Sequence, residues 1–141
     1  MNNLISKYIG IPYKHLGRDK NGLDCLGLIV LIYKEILGIK IFDVVDYDEK
    51  WSWKGRNLFE DNYCKEWKRV LTPKLWDMVL IKNGKGIINH AGLILTNGRF
   101  IHCIKAGVVI SRLSDNTWKG RLSGFFEYKH GNKTNLQTDT V

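Results

Sequence analysis

The second half of the chain alternates apolar and polar residues with a period of two, and the first half holds one long apolar segment. Five segments after Pro73 follow the alternation: DMVLIK (77–82), HAGLILT (90–96), RFIHCIK (99–105), GVVISRL (107–113) and LSGFFEY (122–128). A period of two places alternate side chains on opposite faces of a sheet, so these segments predict five β-strands. The tight turns between them favour an antiparallel sheet.

The apolar segment GLDCLGLIVLIYKEILG (22–38) predicts a helix. Asp24 is a good N-cap residue, and Gly38 stands where a left-handed C-cap residue is wanted. About 13 residues lie between them, or roughly 20 Å of helix. The segment is apolar on all sides as far as Lys34 and Glu35, which is typical of a central, buried helix. One helix followed by antiparallel strands predicts an α+β domain.

The remaining segments show weaker patterns. SKYIGIPYKHLGRDKNG (6–22) predicts a short helix or extended arm followed by a polar loop. Residues 43–75 look irregular, although EDNYCKEWKRVL (60–71) predicts a short amphipathic helix. The end of the chain, KHGNKTNLQTDTV, is polar, and we expect it to be disordered. We therefore predict a single domain over residues 1–128 and a tail over 129–141.

Composition adds a preference for anionic partners. The 141 residues are 44% hydrophobic and 26% charged, which suits one globular domain. The 22 Lys and Arg against 14 Asp and Glu give a net charge of +8, which favours nucleic acid, a membrane surface or a polyanionic cell wall. No phosphate-binding loop, zinc-finger spacing or RNA-binding aromatic motif supports specific nucleic-acid binding. No apolar run is long enough to span a bilayer.

The N-terminal segment MNNLISKYIGIPYK has no basic leader, no long apolar stretch and no small-residue cleavage site. We therefore expect no secretory signal. If the protein acts outside the cell, another agent must deliver it.

The three cysteines, Cys25, Cys64 and Cys103, are widely spaced. An odd number without a Cys-x-x-Cys pair predicts at least one free thiol rather than a disulfide framework, and gives a zinc site no support. Cys25 directly follows the predicted N-cap. The unpaired N–H groups and dipole at a helix start favour a thiolate there. Cys25 is therefore either a buried core thiol or a nucleophile.

Two histidines, His90 and His102, lie on neighbouring predicted strands. Each alone is most simply a core or edge residue with a satisfied hydrogen bond. A catalytic thiol, however, needs a histidine to take its proton and a third polar group to orient that histidine. Two histidines on adjacent strands, together with Cys25, favour such a site.

The hairpin loop at Asn97-Gly98 decides whether the histidines can meet. A two-residue turn there would direct His90 and His102 to opposite faces of the sheet, because side chains alternate. A three-residue loop that begins at Thr96, with Gly98 left-handed and a bulge beside it, places them on one face as diagonal neighbours, roughly 7–8 Å apart at the backbone. We predict the three-residue loop.

The same register makes Gly92 the partner of His102. We expect the absence of a side chain at Gly92 to leave room for the helix start that carries Cys25. The apolar stripe of that helix is then predicted to pack on the face that carries the histidines. Its members are Cys25, Leu28, Ile29, Ile32 and Ile36.

Three separated pieces of the chain resemble the NlpC-type cell-wall peptidases: IGIPYKHLGRDKNGLDCLGLIVLIYKEILGI (9–39), LWDMVLIK (75–82) and INHAGLILTNGRFIHCIKAGVVISRL (88–113). Within the first piece, GRDKNGLDCLGLIVLIYKEILGI (17–39) most resembles their phage-borne branch, associated with tail assembly and tail tips. The resemblance implies a papain-like α+β fold, with the helix that carries the cysteine packed on an antiparallel sheet of about five strands. It also implies hydrolysis of amide bonds in peptidoglycan stem peptides, typically between D-glutamate and a diamino acid, without a metal or organic cofactor.

The resemblance also implies roles for four residues. Cys25 matches the nucleophile, His90 the base and His102 the third, orienting residue. Tyr13, in GIPY, matches a tyrosine that lines the site and helps to hold the oxyanion.

Three positions depart from the family pattern. Leu26 stands where Ser often follows the nucleophile, Trp76 where Gly commonly precedes the Asp, and His15 falls near an aromatic position. These departures concern the subsites rather than the triad.

Two alternatives stay open: a structural phage tail or assembly protein with the same fold and little activity, and an amidase or acyltransferase on a substrate outside the wall. The expected partners are a peptidoglycan stem peptide and phage tail proteins. The expected location is a virion tail or, for a protein made in the cytoplasm, the cell wall to which it is delivered. WSWKGR (51–56) is either a solvated loop or a platform for sugar or stem peptide. We expect Asp24 to be a cap and Cys103 a small core residue facing away from His102. Cys64 has no role that the sequence indicates.

Overall fold

A six-stranded antiparallel sheet and one buried helix make up most of the computed structural model, which describes residues 3–43, 47 and 66–129. The helices are α1 (Asn3–Ser6), α2 (Cys25–Ile32), a π-helical turn (Tyr33–Leu37) and a 3-10 turn (Lys119–Arg121). The strands are β1 (Arg18–Asp19), β2 (Gly22–Leu23), β3 (Trp67–Val70), β4 (Met78–Lys82), β5 (Ile88–Ile94), β6 (Arg99–Ile104), β7 (Gly107–Arg112) and β8 (Leu122–Tyr128). The architecture is the predicted α+β class.

The sheet has the strand order β3-β8-β4-β5-β6-β7, and every neighbouring pair is antiparallel. The five predicted strands are confirmed as β4 to β8, each within two residues of its predicted start and end. β1 and β2 form a separate two-stranded hairpin in the segment that was predicted to be a polar loop. Of the described helices, none is long and apolar enough to cross a membrane.

The amphipathic helix predicted over residues 60–71 is wrong where the structure describes it, because residues 67–70 form β3 at the edge of the sheet. Trp67 pairs with Tyr128 of β8, and the two rings lie 5.2 Å apart between centroids. Both rings also contact Tyr33. Over only four residues, the apolar spacing of a strand (every two residues) cannot be told from that of a helix (every 3.6 residues). The cross-strand aromatic contacts stabilise these residues as a strand.

The central helix begins and ends where the sequence predicted. Asp24 is the N-cap of α2, and Gly38 closes the following π-helical turn with a φ of 68°. The change to a π-helical turn at Tyr33 was not predicted. The Tyr33 hydroxyl donates a hydrogen bond of 2.6 Å to the carbonyl of Trp76, which ties this turn to the strand side of the core.

The hairpin between β5 and β6 has the predicted register. Gly92 pairs with His102, and the Leu95 N–H donates to the Arg99 carbonyl at 2.8 Å. Gly98 is left-handed with a φ of 70°, and Asn97 is left-handed as well, with a φ of 61°. The loop therefore holds three residues, and the alternation places His90 and His102 on the same side of the sheet.

The prediction that the helix packs on this same face is wrong. α2 packs against β5 and β6 on the opposite face, in the large core cluster that includes Leu93 and Ile101. The face of Gly92 carries a second, smaller cluster around Phe100. A Cβ on Gly92 would lie 3.0 Å from the His102 Cβ and 3.0 Å from Phe100, so this glycine leaves room for those two side chains rather than for the helix.

Candidate active site

Cys25 is the first residue of α2, and its cap is held by a buried carboxylate. Asp24 accepts the N-cap hydrogen bond from the Gly27 N–H at 2.8 Å and a second bond from the Leu16 N–H at 2.9 Å. Its side chain is 5% exposed. Asp24 is thus the N-cap, as predicted, and it fixes the position of Cys25 at the start of α2.

A charged network extends from this cap. The Arg18 guanidinium donates to Asp24 at 2.9 Å and to Asp43 at 3.0 Å. The Tyr47 hydroxyl donates to Asp24 and accepts from Arg18 at 3.0 Å. Because both oxygens of the Asp24 carboxylate are engaged in these bonds, its charge is offset inside the fold.

The two histidines form a hydrogen-bonded pair. His90 Nε2 lies 2.7 Å from His102 Nδ1, and His102 Nε2 lies 2.8 Å from the Ser111 hydroxyl. With its Nε2 engaged by His102, His90 has Nδ1 left to take a proton from a thiol. If Nε2 of His90 donates, His102 accepts at Nδ1 and donates from its own Nε2 to Ser111. His102 is fully buried, so this arrangement is held rigidly.

Cys25 and His90 approach the same pocket although α2 and His90 belong to opposite sides of the sheet. The pairing of β5 with β6 stops at Gly92 and His102, whereas β5 begins at Ile88, so the first residues of β5 extend beyond the paired register. The sulfur of Cys25 accepts a hydrogen bond from the Ala91 N–H, in the stretch of β5 that pairs with β4 but not with β6. The thiol therefore lies next to the strand segment that carries His90.

The pocket has a volume of about 360 Å³. It is lined by Tyr13, His15, Asp24, Cys25, Tyr47, Asn89, His90, Cys103, Ile104, Lys105, Trp118 and Arg121. Three of the four predicted site residues thus line one pocket, and the fourth, His102, is in contact with it through His90.

Burial keeps the resting thiol and imidazole neutral. It raises the pKa of Cys25 to about 12, and the nearby Asp24 charge acts in the same direction, while the Ala91 N–H opposes them. Burial is the largest cause that lowers the pKa of His90 to about 3, and the Coulombic effects of His102 and Arg121 act in the same direction. Burial also lowers the pKa of His102 to about 4. At Cys25, burial and the Asp24 charge thus outweigh the helix start, which by itself favours a thiolate.

Tyr13 and Cys103 occupy the pocket wall. Tyr13 is half-buried, forms an isolated bridge with Leu23 next to the cap, and has the ammonium of Lys105 4.2 Å from its ring centroid. Cys103 is buried on the helix side of β6, opposite to His102, and its thiol donates to the Leu23 carbonyl at 3.1 Å. The predicted core position of Cys103 is confirmed. Cys25 and Cys103 are both free thiols, and Cys64 lies outside the described residues.

Sequence reasoning missed an aromatic wall behind the histidines. The Trp118 ring stacks on His90 with centroids 5.8 Å apart and an interplanar angle of 27°. It meets His102 edge-on at 4.8 Å. Arg121 lies against the Trp118 ring, with 5.2 Å from its guanidinium carbon to the ring centroid. These residues come from the turn before β8, which carries no recognisable catalytic pattern.

Ser111 was also missed, although a signal was available. It lies on β7 directly across from Phe100, two positions beyond the residue that pairs with His102. A polar residue within the strand GVVISR, on the face of a buried histidine, indicates a hydrogen-bond partner.

A thiol at a helix start, beside a hydrogen-bonded histidine pair on an antiparallel sheet, is the arrangement of papain-like cysteine hydrolases. The chain belongs to the NlpC/P60 family, whose model matches residues 10–127. All four predicted site residues fall within that match.

Curated relatives share this region. The chain is 32% identical over 121 residues to gamma-DL-glutamyl hydrolase of Bacillus subtilis (strain 168), covering 84% of this chain and 26% of that protein. It is 28% identical over 126 residues to murein DD-endopeptidase MepH of Escherichia coli (strain K12), covering 86% and 42%. The chain thus spans less than half of the length of these relatives.

Solved structures confirm the fold. An NLP/P60 family protein of Staphylococcus aureus subsp. aureus Mu50 aligns with a TM-score of 0.67 at 21% identity, covering 92% of this chain and 40% of that one. The NlpC/p60 domain of peptidoglycan hydrolase SagA aligns with a TM-score of 0.58 at 20% identity, covering 88% and 92%.

Proposed function

We propose that this protein is a cysteine endopeptidase that hydrolyses amide bonds in the stem peptides of peptidoglycan. The observation that carries the proposal is the shared pocket of Cys25 and His90, with His90 bonded to His102 at 2.7 Å. Curated relatives named peptidoglycan endopeptidase LytE and murein DD-endopeptidase MepH support the substrate class.

The residues divide the reaction between them. As the Cys25 sulfur attacks the scissile carbonyl carbon, its proton passes to Nδ1 of His90. The Cys25 N–H at the start of α2, together with the Tyr13 hydroxyl, stabilises the oxyanion. The C–N bond then breaks, and His90 returns the proton to the leaving amine. Water, deprotonated by His90, hydrolyses the thioester and restores the thiol. His102 keeps the Nδ1 of His90 unprotonated at rest.

The proposed bond is the one between D-glutamate and the diamino acid. The relative named gamma-DL-glutamyl hydrolase, at 32% identity, supports a γ-linked glutamyl group on the acyl side. Mass spectrometry of muropeptides after digestion of purified peptidoglycan tests both bond and activity. The wild type should release products with new D-glutamyl carboxyl ends, and Cys25→Ala should release none. The melting temperature of Cys25→Ala should equal that of the wild type. Equal products from both proteins would contradict the proposal.

We also propose that a phage tail delivers the enzyme to the cell wall. Support comes from the likeness of residues 17–39 to the phage-borne branch of these peptidases. Mass spectrometry of purified virions tests this proposal, since the chain should be present in stoichiometric amount with the tail proteins. Its recovery only from the soluble fraction of infected cells would contradict delivery by the tail and leave the peptidase proposal intact.

A further inference from the structure

The pocket contains more positive charge than the catalytic residues require. Among its described lining residues, Lys105 and Arg121 are cationic and Asp24 is the one carboxylate. The Asp24 carboxylate is engaged by backbone N–H groups, Arg18 and Tyr47. Its charge is therefore not directed at a ligand, and the electrostatic character of the pocket follows from the two cations.

Arg121 is held in place rather than free to extend into solvent. Its Nε donates to the Lys82 carbonyl at 2.8 Å, and its guanidinium lies over the ring of Trp118. Within the described part of the chain, no carboxylate forms an ion pair with Arg121. A fixed guanidinium that lines a pocket is suited to bind a carboxylate there.

Arg121 lies on the His90 side of the site. Trp118 stacks on His90 and carries Arg121 against its ring. The charge of Arg121 acts on His90, whereas the charged groups that act on Cys25 are Asp24 and Arg18. Since His90 protonates the leaving amine in the proposed reaction, its side of the pocket is the side of the leaving group.

We propose that Arg121 binds a carboxylate of the leaving amino acid, so that the preferred substrate carries a free carboxylate next to the amine that is released. This inference rests on the proposed peptidase function and adds the specificity of one subsite. The carboxylate could be the α-carboxylate of a C-terminal residue or the side-chain carboxylate of a diamino diacid. In either case the bound anion offsets the positive charge that opposes protonation of His90.

Binding to the Cys25→Ala protein tests the inference without turnover. Isothermal titration calorimetry would compare L-alanyl-γ-D-glutamyl-L-lysine with its C-terminal amide, and with the C-terminal amide in which meso-diaminopimelate replaces lysine. Loss of the α-carboxylate should weaken binding about tenfold if that carboxylate is the ligand. Recovery of affinity by the diaminopimelate amide would assign the side-chain carboxylate. Equal binding of all three ligands, or binding of none, would overturn the inference.

Variants in the same background identify the residue responsible. Arg121→Gln should bind all three ligands equally, with the affinity of the weakest ligand, because the guanidinium that binds the carboxylate is absent. A folding defect would instead weaken the binding of all three ligands and leave the preference among them unchanged. Lys119→Gln, an exposed change in the same turn, should retain the preference. A preference that survives Arg121→Gln and is lost in Lys105→Gln would overturn the assignment.

The two proposals fail separately. Cleavage of muropeptides by the wild type with no preference for a carboxylate on the leaving residue would overturn this inference and leave the peptidase function standing. A carboxylate preference in binding, without cleavage by the wild type, would contradict the peptidase function alone.

Discussion

The two faces of the sheet are built differently. The face under α2 holds the large apolar core, in which Leu28, Ile32 and Ile101 are each 0% exposed. The opposite face has a smaller core cluster of four buried residues around Phe100, and the buried polar side chain of His102 beside it. The first face carries Cys25, the proposed nucleophile, and the second carries His90, the proposed base.

This difference separates stability from chemistry. A helix start can be fixed firmly only by packing its helix, and the large core fixes α2 behind Cys25. The histidines need hydrogen-bond partners in a buried place, and Ser111 and the rings of Phe100 and Trp118 surround them. The components meet where β5 runs beyond its pairing with β6. Substitutions on the two faces should therefore affect activity and stability in different proportions.

The largest expected effect is the loss of the base. His90→Ala should lower kcat/KM on muropeptides about 10²- to 10⁴-fold, because His90 takes the proton of Cys25 in the proposed reaction. The melting temperature should change little, since His90 lines a pocket. His15→Ala, at another part of the same pocket, is the control and should keep most of the activity. A similar loss for both variants would argue against a specific role of His90.

The next effect compares the faces directly. Phe100→Ala should lower the free energy of unfolding by about 3–5 kcal/mol, and Leu28→Ala on the helix face by about 2–5 kcal/mol. Urea denaturation measures both. At a temperature where both proteins are folded, Phe100→Ala should lose more kcat/KM, because the Phe100 ring packs 4.3 Å from that of His102. Equal losses of activity would mean that the two faces do not divide these tasks.

Local features were predictable from the sequence. The caps of α2 rest on Asp24 and Gly38, and the register of the β5–β6 hairpin rests on a loop that contains Asn97 and Gly98. Each depends on the conformations that a few neighbouring residues prefer. These features made part of the site predictable. The hairpin register places His90 and His102 on one side of the sheet, and the N-cap places Cys25 at the helix start.

Features that depend on the path of the chain in space were not predictable. Nothing in the period of α2 says which face of the sheet it covers, since both faces of the central strands are apolar. Trp118 and Arg121 reach the pocket from a turn that precedes β8 by only a few residues, and contacts of this kind depend on the sheet order. Trp76 is a further case: it adopts a φ of 73° that sequence preference assigns to glycine.

The smallest expected effect comes from Ser111, the last residue in the hydrogen-bonded series of His90, His102 and Ser111. In Ser111→Ala, Nε2 of the fully buried His102 loses its 2.8 Å partner. His102 can then carry its proton on Nδ1 and donate it to His90, which would move the His90 proton to Nδ1 and block the base. We expect kcat/KM to fall about fivefold, in line with roughly 1 kcal/mol for one hydrogen bond. Ser111→Thr keeps the hydroxyl and should retain wild-type activity. If both variants lose activity equally, the hydroxyl does not position His102, and Ser111 contributes only through its volume beside Phe100.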